Sequence, residues 1–466
     1  MSISGNPNVL LIIADDLGKD VVKTTGSDVN RRVQVVTNDG AVDIVGELPN
    51  VSLFLRNGLY FRQAWAQPAC SPTRASIYTG LHPWKNGVGS PTNNPRLGKN
   101  RSFATIPDLL PSEYSCGLFG KWHLGQEAGT RPDDHGWTKH VGTLDGVVKD
   151  YYEWIKYDSD DYDKPTRSYM YATREIVDEA MSWISGLDEE TPWFATIAFH
   201  SPHDPFQVPP DGYTAPAAGD PTSDAYVYNL MAQNMDYHVG RLIGSVAPQV
   251  LPISRDQLEN TLIIFIGDNG SHWNIAIEEA KTTIYEGGVR VPMIIADGRA
   301  VAQEMNSETV EPAFLDPGKL NKTSGHLTHV VDLYQTILQT ADPDSSLPKG
   351  EDSHSLISYF TNPGDQPPVR SYNFSQLFTC GQKRATIRNS GYKLNYDAAN
   401  SPEYELYAYS GGEVPGIEGS TATPLYADAT GGSNPAALAA LEELLDELIA
   451  NYQANESTPF PDPRPF

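Results

Sequence analysis

Short apolar runs that stop abruptly at polar residues recur along the chain. Three of them are almost uninterrupted: Val9–Ala14, Phe194–Phe199 and Leu262–Ile266. Such runs are typical of strands that are buried on both faces of a parallel sheet. A weaker run, Cys116–Gly120, fits the same description. The pattern therefore predicts four strands of one buried sheet.

Helical periodicity fills much of the sequence between these runs. Residues 173–188 repeat apolar side chains at the spacing of one helix face, and residues 224–243 and 329–338 do the same. Strand and helix patterns alternate over roughly 340 residues. This alternation predicts an α/β fold, with a large, mostly parallel mixed sheet and helices on both of its faces.

The pattern changes towards the C-terminus. Residues 384–396 alternate polar and apolar side chains around Asn389-Ser390-Gly391, which indicates a hairpin. A further strand pattern at 403–409, a Gly/Ser/Thr-rich loop at 410–434 and a strong helix pattern at 435–452 follow. We therefore predict an α/β catalytic domain over residues 1–370. Residues 371–466 are predicted to form a small antiparallel sheet with a helix, packed on that domain.

Charge and cysteine content narrow the class of protein. The chain of 466 residues has 33 basic and 59 acidic side chains, a formal net charge of −26. This charge disfavours nucleic acid and anionic lipid as partners, and an anionic substrate would need a local positive pocket. Cys70, Cys116 and Cys380 are an odd number, too few for a disulfide framework.

The N-terminal region carries no pattern of a signal peptide or of a membrane span. Its longest apolar run, Val9–Ala14, is too short to cross a bilayer, and no basic segment precedes it. We therefore expect no membrane association and a cytoplasmic location. A periplasmic or secreted location is the alternative if a leader has been removed.

Acidic and amide side chains follow two of the predicted strands. Asp15 and Asp16 come after the first run, and Asp268 and Asn269 come after the third. Sites in open α/β sheets lie at the carboxyl ends of the strands, where converging carboxylates repel unless a cation lies between them. Both pairs are also ordinary turn residues. Their occurrence at two strand ends favours a site for Ca²⁺ or Mg²⁺, which prefer oxygen ligands.

Cationic and imidazole side chains follow the other two strands. His200 and His203 come after one, and Lys121 and His123 come after the other. Lys121 and His123 would face one pocket if the segment is extended, because residues i and i+2 of a strand share a face. A single histidine is more often structural, but four such side chains at strand ends favour a positive pocket.

Cys70 lies at the predicted start of a helix. Ser71 is predicted as the N-cap, Pro72 as the first helical residue and Gly80 as the stop. The start of a helix favours an anion, and Arg74 lies one turn further on. A thiolate nucleophile of low pKa is one interpretation. An oxygen at this position would match a hard cation and oxygen ligands better.

Together these segments resemble the motifs of type I, formylglycine-dependent sulfatases of the alkaline phosphatase superfamily. Residues 70–74, CSPTR, are similar to the C-x-P-x-R signature of that family, and the order of all matching segments is the family's order. Further segments that resemble family motifs are ADDLG at 14–18, GKWHLG at 120–125, PHDP at 202–205, GDNG at 267–270, KTTIYEGGVRVP at 281–292, GYKL at 391–394 and ELY at 405–407.

The resemblance implies an arylsulfatase-like sulfuric ester hydrolase. A formylglycine-generating enzyme would oxidise Cys70 to formylglycine. One hydroxyl of the hydrated aldehyde would then attack the sulfur of a small-molecule sulfate ester, and the second hydroxyl would later expel sulfate. One divalent cation is implied, Ca²⁺ by analogy, with Mg²⁺ or Mn²⁺ as alternatives. The implied ligands of this cation are Asp15, Asp16, the modified Cys70, Asp268 and Asn269.

The resemblance also implies roles for individual side chains. Arg74 and Lys121 would steady the hydrated aldehyde, while Lys121, Lys281 and His203 would bind the sulfate oxygens. His203 or Lys281 would protonate the leaving oxygen. His123 would act as the base that lets sulfate leave. The implied catalytic set is therefore Cys70, Arg74, Lys121, His123, His203 and Lys281.

Three other functions are compatible with parts of this pattern. A phosphonate monoester or phosphodiester hydrolase of the same superfamily would share the metal ligands and the formylglycine. An inactive anion-binding relative would lack turnover, although every catalytic residue type is present here. A Cys-His thiol hydrolase would not need the two oxygen-ligand pairs. His200 and His272 are further candidates, the first behind the pocket and the second along its lining with Trp273.

Overall fold

The computed structural model describes residues 6–19, 33–37, 40–45, 48–92, 96–98, 103–214, 220–246, 253–276, 280–343, 352–362, 364–379, 382–400, 403–409 and 434–452. Its strands are β1 (Asn8–Ala14), β2 (Val33–Thr37), β3 (Gly40–Val45), β4 (Gly58–Trp65), β5 (Ser115–Lys121), β6 (Lys139–Thr143), β7 (Trp154–Asp158), β8 (Thr166–Ser168), β9 (Trp193–Ala198), β10 (Thr261–Gly267), β11 (Met293–Asp297), β12 (Lys322–His329), β13 (Asn373–Thr379), β14 (Gln382–Arg388), β15 (Tyr392–Asp397) and β16 (Tyr404–Ala408). Its α-helices are α1 (Pro49–Arg56), α2 (Cys70–Thr79), α3 (Pro83–Asn86), α4 (Ile106–Leu109), α5 (Ala172–Gly186), α6 (Asp224–Ile243), α7 (Arg255–Glu259), α8 (Glu286–Val289), α9 (Gly298–Met305), α10 (Leu333–Ala341), α11 (Ile357–Thr361) and α12 (Pro435–Tyr452).

A ten-stranded mixed sheet forms the larger layer. Its strand order is β12-β4-β11-β10-β1-β9-β5-β6-β7-β8. The central strands β10, β1, β9, β5 and β6 are parallel, whereas β11 runs antiparallel to β10. Every residue of β1 is buried, as the uninterrupted apolar run predicted. The predicted mixed sheet with a parallel centre is confirmed.

Helices cover both faces of this sheet. On one face, Leu10 and Ile12 of β1 belong to a core that includes side chains of α5 and α6. On the other face, Val9 and Leu11 belong to a core with side chains of α2 and α10. Successive residues of a strand point to opposite faces, so one apolar run supplies both cores. None of the described helices is long and apolar enough to cross a membrane.

Most of the predicted elements are present, and some boundaries differ. The helix predicted at 224–243 is α6, and that predicted at 173–188 is α5, which starts and ends slightly earlier. The helix prediction for 329–338 is wrong at its start, since β12 continues to His329 and α10 begins at Leu333. The sequence analysis missed β4 and β12, whose polar residues interrupt any apolar run.

The second sheet is antiparallel and has the order β13-β14-β15-β16. The predicted hairpin is formed by β14 and β15, and the predicted helix, α12, packs its leucines on this sheet. These findings confirm a small C-terminal antiparallel sheet with a helix. Residues 410–433 of the predicted loop lie outside the described residues. The domain boundary between residues 370 and 371 precedes β13 and stays a prediction.

Hydrogen bonds join the small sheet to the segment that leads into α2. Asn373 Nδ2 donates to the carbonyl of Gln63 at 3.1 Å, and Ser375 Oγ donates to the carbonyl of Ala66 at 2.7 Å. The backbone N–H of Gln376 donates to Gln67 Oε1 at 2.9 Å. The small sheet therefore fixes the chain immediately before Cys70.

Candidate active site at the carboxyl edge of the sheet

The two acidic strand ends lie side by side. Because β1 and β10 are parallel and Ala14 pairs with Gly267, the residues that follow them meet at one edge of the sheet. The backbone N–H of Asp16 donates to Asp268 Oδ1 at 3.1 Å, and Asn269 Nδ2 donates to Asp16 Oδ1 at 2.8 Å. Asp15, Asp16, Asp268 and Asn269 are all fully buried.

Two oxygen atoms of this cluster lack a hydrogen-bond partner among the described residues. They are Asp15 Oδ1 and Asn269 Oδ1, and both are buried. A buried polar atom without a partner is costly unless an ion or water satisfies it. Burial and the nearby Asp15 carboxylate raise the pKa of Asp268 to about 6, against the opposing effect of Arg74. These oxygen donors fit a hard divalent cation such as Ca²⁺.

His203 also lies close to the acidic cluster. Its ring nitrogen and one oxygen each of Asp15 and Asp16 lie within 4.8 Å of one another. His203 Nε2 is, however, 2.9 Å from Lys281 Nζ and 3.7 Å from Asp16 Oδ2. A hard cation prefers oxygen over imidazole nitrogen, so we assign the aspartate and asparagine oxygens as the candidate metal ligands.

A basic side chain contacts each of the three carboxylates. Lys121 Nζ donates to Asp15 Oδ2 at 2.6 Å, and Lys281 Nζ donates to Asp16 Oδ2 at 2.7 Å. Arg74 donates to Asp268 Oδ2 at 2.8 Å and, through its other nitrogen, to the carbonyl of Lys121 at 2.9 Å. Buried charges persist only when they are paired in this way. The cations that the sequence predicted for the pocket therefore converge on the predicted metal ligands.

Cys70 is the first residue of α2, in front of this charged cluster. The prediction that Ser71 is the N-cap is wrong, because the N-cap is Ala69 and Ser71 lies inside the first turn. The Ser71 hydroxyl instead donates to the carbonyl of His123 at 2.9 Å, which holds the His123 segment against the helix. Gly80 ends the helix in the left-handed conformation, as predicted.

His123 faces Cys70. Its Nδ1 lies 3.2 Å from Cys70 Sγ, and its Nε2 lies 3.2 Å from the carbonyl of Pro91. The segment is not extended as expected, because His123 has φ of 58°. This left-handed turn directs His123 to Cys70 while Lys121 reaches Asp15. Burial, with the charges of Lys121 and Arg74, lowers the pKa of His123 well below its usual value, so the ring is a neutral base.

His203 lies across the pocket from His123. Its Nδ1 is 3.0 Å from Asp204 Oδ1, while its Nε2 faces Lys281. Burial lowers the pKa of His203, but the carboxylates of Asp16 and Asp15 outweigh this effect and raise it to about 9. Sequence reasoning missed Asp204, although it lies inside the PHDP segment.

The two remaining histidine candidates occupy different positions. His200 lies behind the pocket, where its Nε2 contacts Thr143 Oγ1 at 2.7 Å and its carbonyl accepts a bond from Tyr151. His272 lies at the mouth, with its Nε2 3.8 Å from Asp204 Oδ1. The structure thus brings together all the predicted metal and catalytic residues and places His200 one layer behind them.

Comparison with known proteins also relates this chain to sulfatases. The Sulfatase family model matches residues 7–343. The chain is 24% identical to a sulfatase of Formosa agariphila over 86% of this chain and 80% of that protein. It is 24% identical to an arylsulfatase of Klebsiella aerogenes over 57% of this chain and 66% of that protein.

A solved structure shares the fold. It is that of BT4656 in complex with its substrate, D-glucosamine-2-N,6-O-disulfate, with a TM-score of 0.67 and 16% identity. The match covers 95% of this chain and 97% of that one. The family match spans both strand ends of the pocket, the Cys70 helix and the Lys281 segment. The chain belongs to the sulfatase family, whose fold is that of alkaline phosphatase.

Proposed function

We propose that this protein hydrolyses sulfate monoesters, aryl sulfates in particular, to an alcohol and inorganic sulfate, through formylglycine made from Cys70. The observation that carries the proposal is the position of Cys70. Its Sγ lies 3.2 Å from a neutral histidine, beside an acidic cluster that three basic side chains surround. The arylsulfatase among the relatives supports an aryl ester as the first substrate to test.

Binding of the sulfate group is assigned to Lys121, Lys281 and His203. Lys121 and His203 are buried and Lys281 is partly exposed, and the nitrogens of all three lie at the carboxylates of Asp15 and Asp16. Charge-assisted donors fixed in a dry site stabilise the negative charge that develops on sulfate oxygens in the transition state. They would supply this positive potential locally, against the net charge of −26 of the whole chain.

Residue 70 is assigned as the nucleophile. Its Sγ marks the place that an oxygen on the same carbon would take after oxidation to formylglycine. His123 Nδ1 would take a proton from an oxygen at this position, which allows sulfate to leave.

A divalent cation, Ca²⁺ in the first place, would be held by Asp15, Asp16, Asp268 and Asn269 with residue 70, and would supply Lewis acidity towards an oxygen. The chain's own contribution is to fix these ligands. Arg74 holds Asp268 through its Nε and a terminal nitrogen, at 3.2 and 2.8 Å, and Lys121 holds Asp15. Substitution of Arg74 would therefore displace a ligand as well as remove a charge.

Protonation of the leaving alcohol is assigned to His203 Nε2, with Lys281 as the neighbouring donor. The backbone carbonyl of Asp204 accepts from His203 Nδ1 at 2.7 Å, which leaves Nε2 facing Lys281 and the pocket. The need for this proton is greatest when the alcohol is a poor leaving group.

The test compares Cys70→Ala with Cys116→Ala. Cys116 is a buried thiol on β5 whose pKa burial raises to about 12, so it serves as the matched control. We expect Cys70→Ala to fold normally and to lose hydrolysis of aryl sulfates, whereas Cys116→Ala keeps it. The wild-type peptide that contains residue 70 should weigh about 18 Da less than its thiol form, because H₂S is lost and oxygen is gained on forming the aldehyde nucleophile.

Two outcomes would contradict the proposal. The first is near-normal turnover by Cys70→Ala, and the second is an active preparation in which residue 70 is entirely thiol. Rates on aryl phosphonates, measured on the same sample, distinguish sulfate ester hydrolysis from the phosphonate or phosphodiester alternative.

A further inference from the structure

An exposed aromatic side chain lies at the mouth of the pocket. Trp273 is 63% exposed, and its ring centroid is 3.8 Å from that of His272. Single exposed apolar side chains are common, so the position of Trp273, rather than its exposure, is the informative feature. Trp273 follows Asp268 and Asn269 in the same loop, so it leaves the sheet at the same edge as the candidate metal ligands.

The rings at this mouth are held in place by contacts that lead back to the pocket. His272 packs edge to face on Phe206, with centroids 5.4 Å apart and planes at 87°. Phe206 packs on Tyr228, whose hydroxyl donates to the carbonyl of Asp16 at 2.9 Å. We call Phe206, His272 and Trp273 the aromatic rim. This rim is therefore fixed relative to the sulfate-binding residues.

The aromatic rim begins beside the proposed proton donor. Asp204 Oδ1 is 3.0 Å from His203 Nδ1 and 3.8 Å from His272 Nε2. Asp204 is thus the link between the pocket and the aromatic rim. Exposure rises from the side chain of His203, 8%, to that of Asp204, 44%, and to Trp273, 63%, so the alcohol part of an ester whose sulfate is bound at His203 and Lys281 would extend towards the aromatic rim.

Carboxylates flank the aromatic rim. The side chain of Asp204 is 44% exposed, and Asp224 accepts a hydrogen bond from Asn274, the residue after Trp273, at 2.7 Å. A second negative charge on the alcohol would face these carboxylates and be repelled. A hydroxyl group could instead donate to Asp204.

We propose that the aromatic rim and Asp204 receive the alcohol part of the ester, and that they select a flat, uncharged ring over an acyclic or anionic alcohol. This inference rests on the proposed function and names its substrate class. The face of Trp273 stacks on the ring, and the ring is either an aryl group or the apolar face of a neutral pyranose. Asp204 disfavours a ring that carries a carboxylate or another sulfate.

The first test measures KM and kcat of wild type, Trp273→Ala and Trp273→Phe on 4-nitrophenyl sulfate, on a monosulfated neutral hexose and on a short alkyl sulfate. We expect Trp273→Ala to raise KM about 3- to 10-fold for the ring-bearing esters, as for the loss of one stacked aromatic contact. Trp273→Phe should restore most of this loss, and the alkyl sulfate should be unaffected. Comparison of the change in KM for the hexose sulfate with that for the aryl sulfate shows which ring the aromatic rim prefers.

Tyr169→Ala provides the matched control. Tyr169 is also an exposed aromatic residue, at 72%, but it lines a separate surface hollow with Lys156 and Met170. Its substitution should leave all three KM values unchanged. Equal KM values for wild type and Trp273→Ala on every ester would overturn the inference.

A second test does not depend on turnover. Binding of an aryl sulfonate and of methanesulfonate, which are not hydrolysed, is measured by calorimetry. Trp273→Ala should weaken the aryl sulfonate about 3- to 10-fold and leave methanesulfonate unchanged. An equal loss of affinity for both sulfonates, or no loss for either, would overturn the role assigned to the aromatic rim. If wild type hydrolyses no sulfate ester but shows this difference in binding, the proposed function fails and the aromatic rim stands.

The third test concerns charge selection. The ratio of kcat/KM for a carboxylated aryl sulfate to that for its uncharged parent is compared between wild type and Asp204→Asn. If the substitution alters His203, it slows hydrolysis of both esters alike, and this effect cancels in the ratio. We expect it to rise about 2- to 5-fold when the carboxylate is removed, as for one nearby, partly exposed like charge. An unchanged ratio would contradict the assignment of Asp204.

Discussion

Single residues in an uncommon backbone conformation give the pocket its shape. Asp16, His123 and Thr282 have φ between 58° and 69°, and each lies in or beside the site. For a residue with a side chain this conformation costs about 1 kcal/mol or more, and it persists where the surroundings impose it. At Asp16 and His123 it turns the side chain into the pocket immediately after a strand. At Thr282 it follows Lys281 directly.

Gly146 packs against the His123 ring and, having no side chain, leaves room for it. A Cβ on Gly146 would lie 2.2 Å from His123 Cε1, closer than atoms can approach. Gly146→Ala should therefore move the imidazole away from residue 70 and lower kcat roughly 10- to 100-fold, part of the usual contribution of a general base. Steady-state kinetics on an aryl sulfate measure this effect, with KM expected to change less than kcat.

Gly186→Ala is the control for that substitution. A Cβ at Gly186 meets no described atom within 4 Å, so this variant should retain full activity. A Gly146→Ala enzyme with unchanged kcat would exclude the positioning of His123 by Gly146.

For single residues, the sequence predicted which side chains belong to the candidate site but not the contacts that position them. Asp15, Asp16, Lys121 and His123 were predicted from their places after strands, because those places follow from local pattern. The left-handed turn at His123 depends on Gly146 and on the Ser71 hydroxyl, which are distant in sequence. Such tertiary contacts leave no signal in the pattern around His123 itself.

Among the elements, the parallel pair β1 and β10 carries the acidic residues to one point. The two strands pair without a register shift, from Asn8 opposite Thr261 to Ala14 opposite Gly267. Backbone pairing therefore decides that Asp15, Asp16, Asp268 and Asn269 meet. Two buried oxygens of this group, Asp15 Oδ1 and Asn269 Oδ1, lack a hydrogen-bond partner among the described residues, so a cation bound to them would stabilise the folded protein.

Removal of the cation should therefore lower thermal stability. We expect EGTA to decrease Tm and Ca²⁺ to restore it, since a ligand at about 100 times its Kd adds about 2.7 kcal/mol to the free energy of unfolding. Asn269→Ala should reduce this Ca²⁺ dependence because it removes one ligand. Asn362→Ala, at an exposed position, should behave as wild type. A Tm indifferent to chelator and to Ca²⁺ would exclude a stabilising metal here.

The junction of the two sheets depends on a buried charge. Glu286, at the start of α8, accepts from Tyr409 at 3.0 Å and lies 3.4 Å from Lys393 Nζ and 4.0 Å from Arg388. The cations of Lys393 and Arg388 outweigh burial and hold the pKa of Glu286 low, at about 2. The small sheet is thereby bound to the segment that carries Lys281.

Glu286→Gln should be strongly destabilising. It leaves three buried cations, Lys393, Arg388 and Arg290, facing a neutral amide, and breaking a buried ion pair in this way costs about 3–5 kcal/mol. Chemical denaturation measures the loss. Glu308→Gln is the control, because its pair with Arg255 is exposed and screened by solvent, so its loss should change stability little. Equal stabilities of the two variants would refute a structural role for the Glu286 carboxylate.

Prediction of the elements succeeded where both faces of a strand are buried. β1, β9 and β10 read as apolar runs for that reason. β4 carries Arg62 and Gln63, and β12 lies at the sheet edge with mainly polar residues, so neither gives a run. The pairing of β11 with both β10 and β4 is a long-range choice that no local pattern encodes.

For the whole molecule, buried histidines predict a loss of stability in acid. Burial is the first cause that lowers the pKa of each, to about 4 for His140 and about 3 for His238. Burial also lowers the pKa of His82 and His329 well below the ordinary value. Between the ordinary pKa of about 6.5 and these lower values, the unfolded chain binds protons that the folded protein does not, so stability falls as pH falls.

Asp236 acts in the opposite direction. Burial raises its pKa to about 6, so below pH 6 the folded protein holds a proton that the unfolded chain has released. The buried histidines whose pKa is lowered outnumber the two buried aspartates whose pKa is raised, Asp236 and Asp268, so the unfolded chain binds more protons than the folded protein near pH 5. We therefore expect Tm to decrease steeply from pH 6.5 to pH 4.5.

His140→Asn should flatten this dependence by about one proton. His326→Asn, which changes a partly exposed histidine on β12, is the control for this substitution. A Tm that rises on acidification would contradict the predicted sign.

The burial of Cys70 in the folded protein limits when its proposed oxidation can occur. The residue is only 5% exposed, and Arg74 of its helix pairs with Asp268, 194 positions later in the sequence. A ribosome that adds about 5–20 residues per second needs about 10–40 s to span that interval. An oxidising enzyme would therefore meet an accessible thiol on the nascent polypeptide, before translation delivers the segment that closes over it.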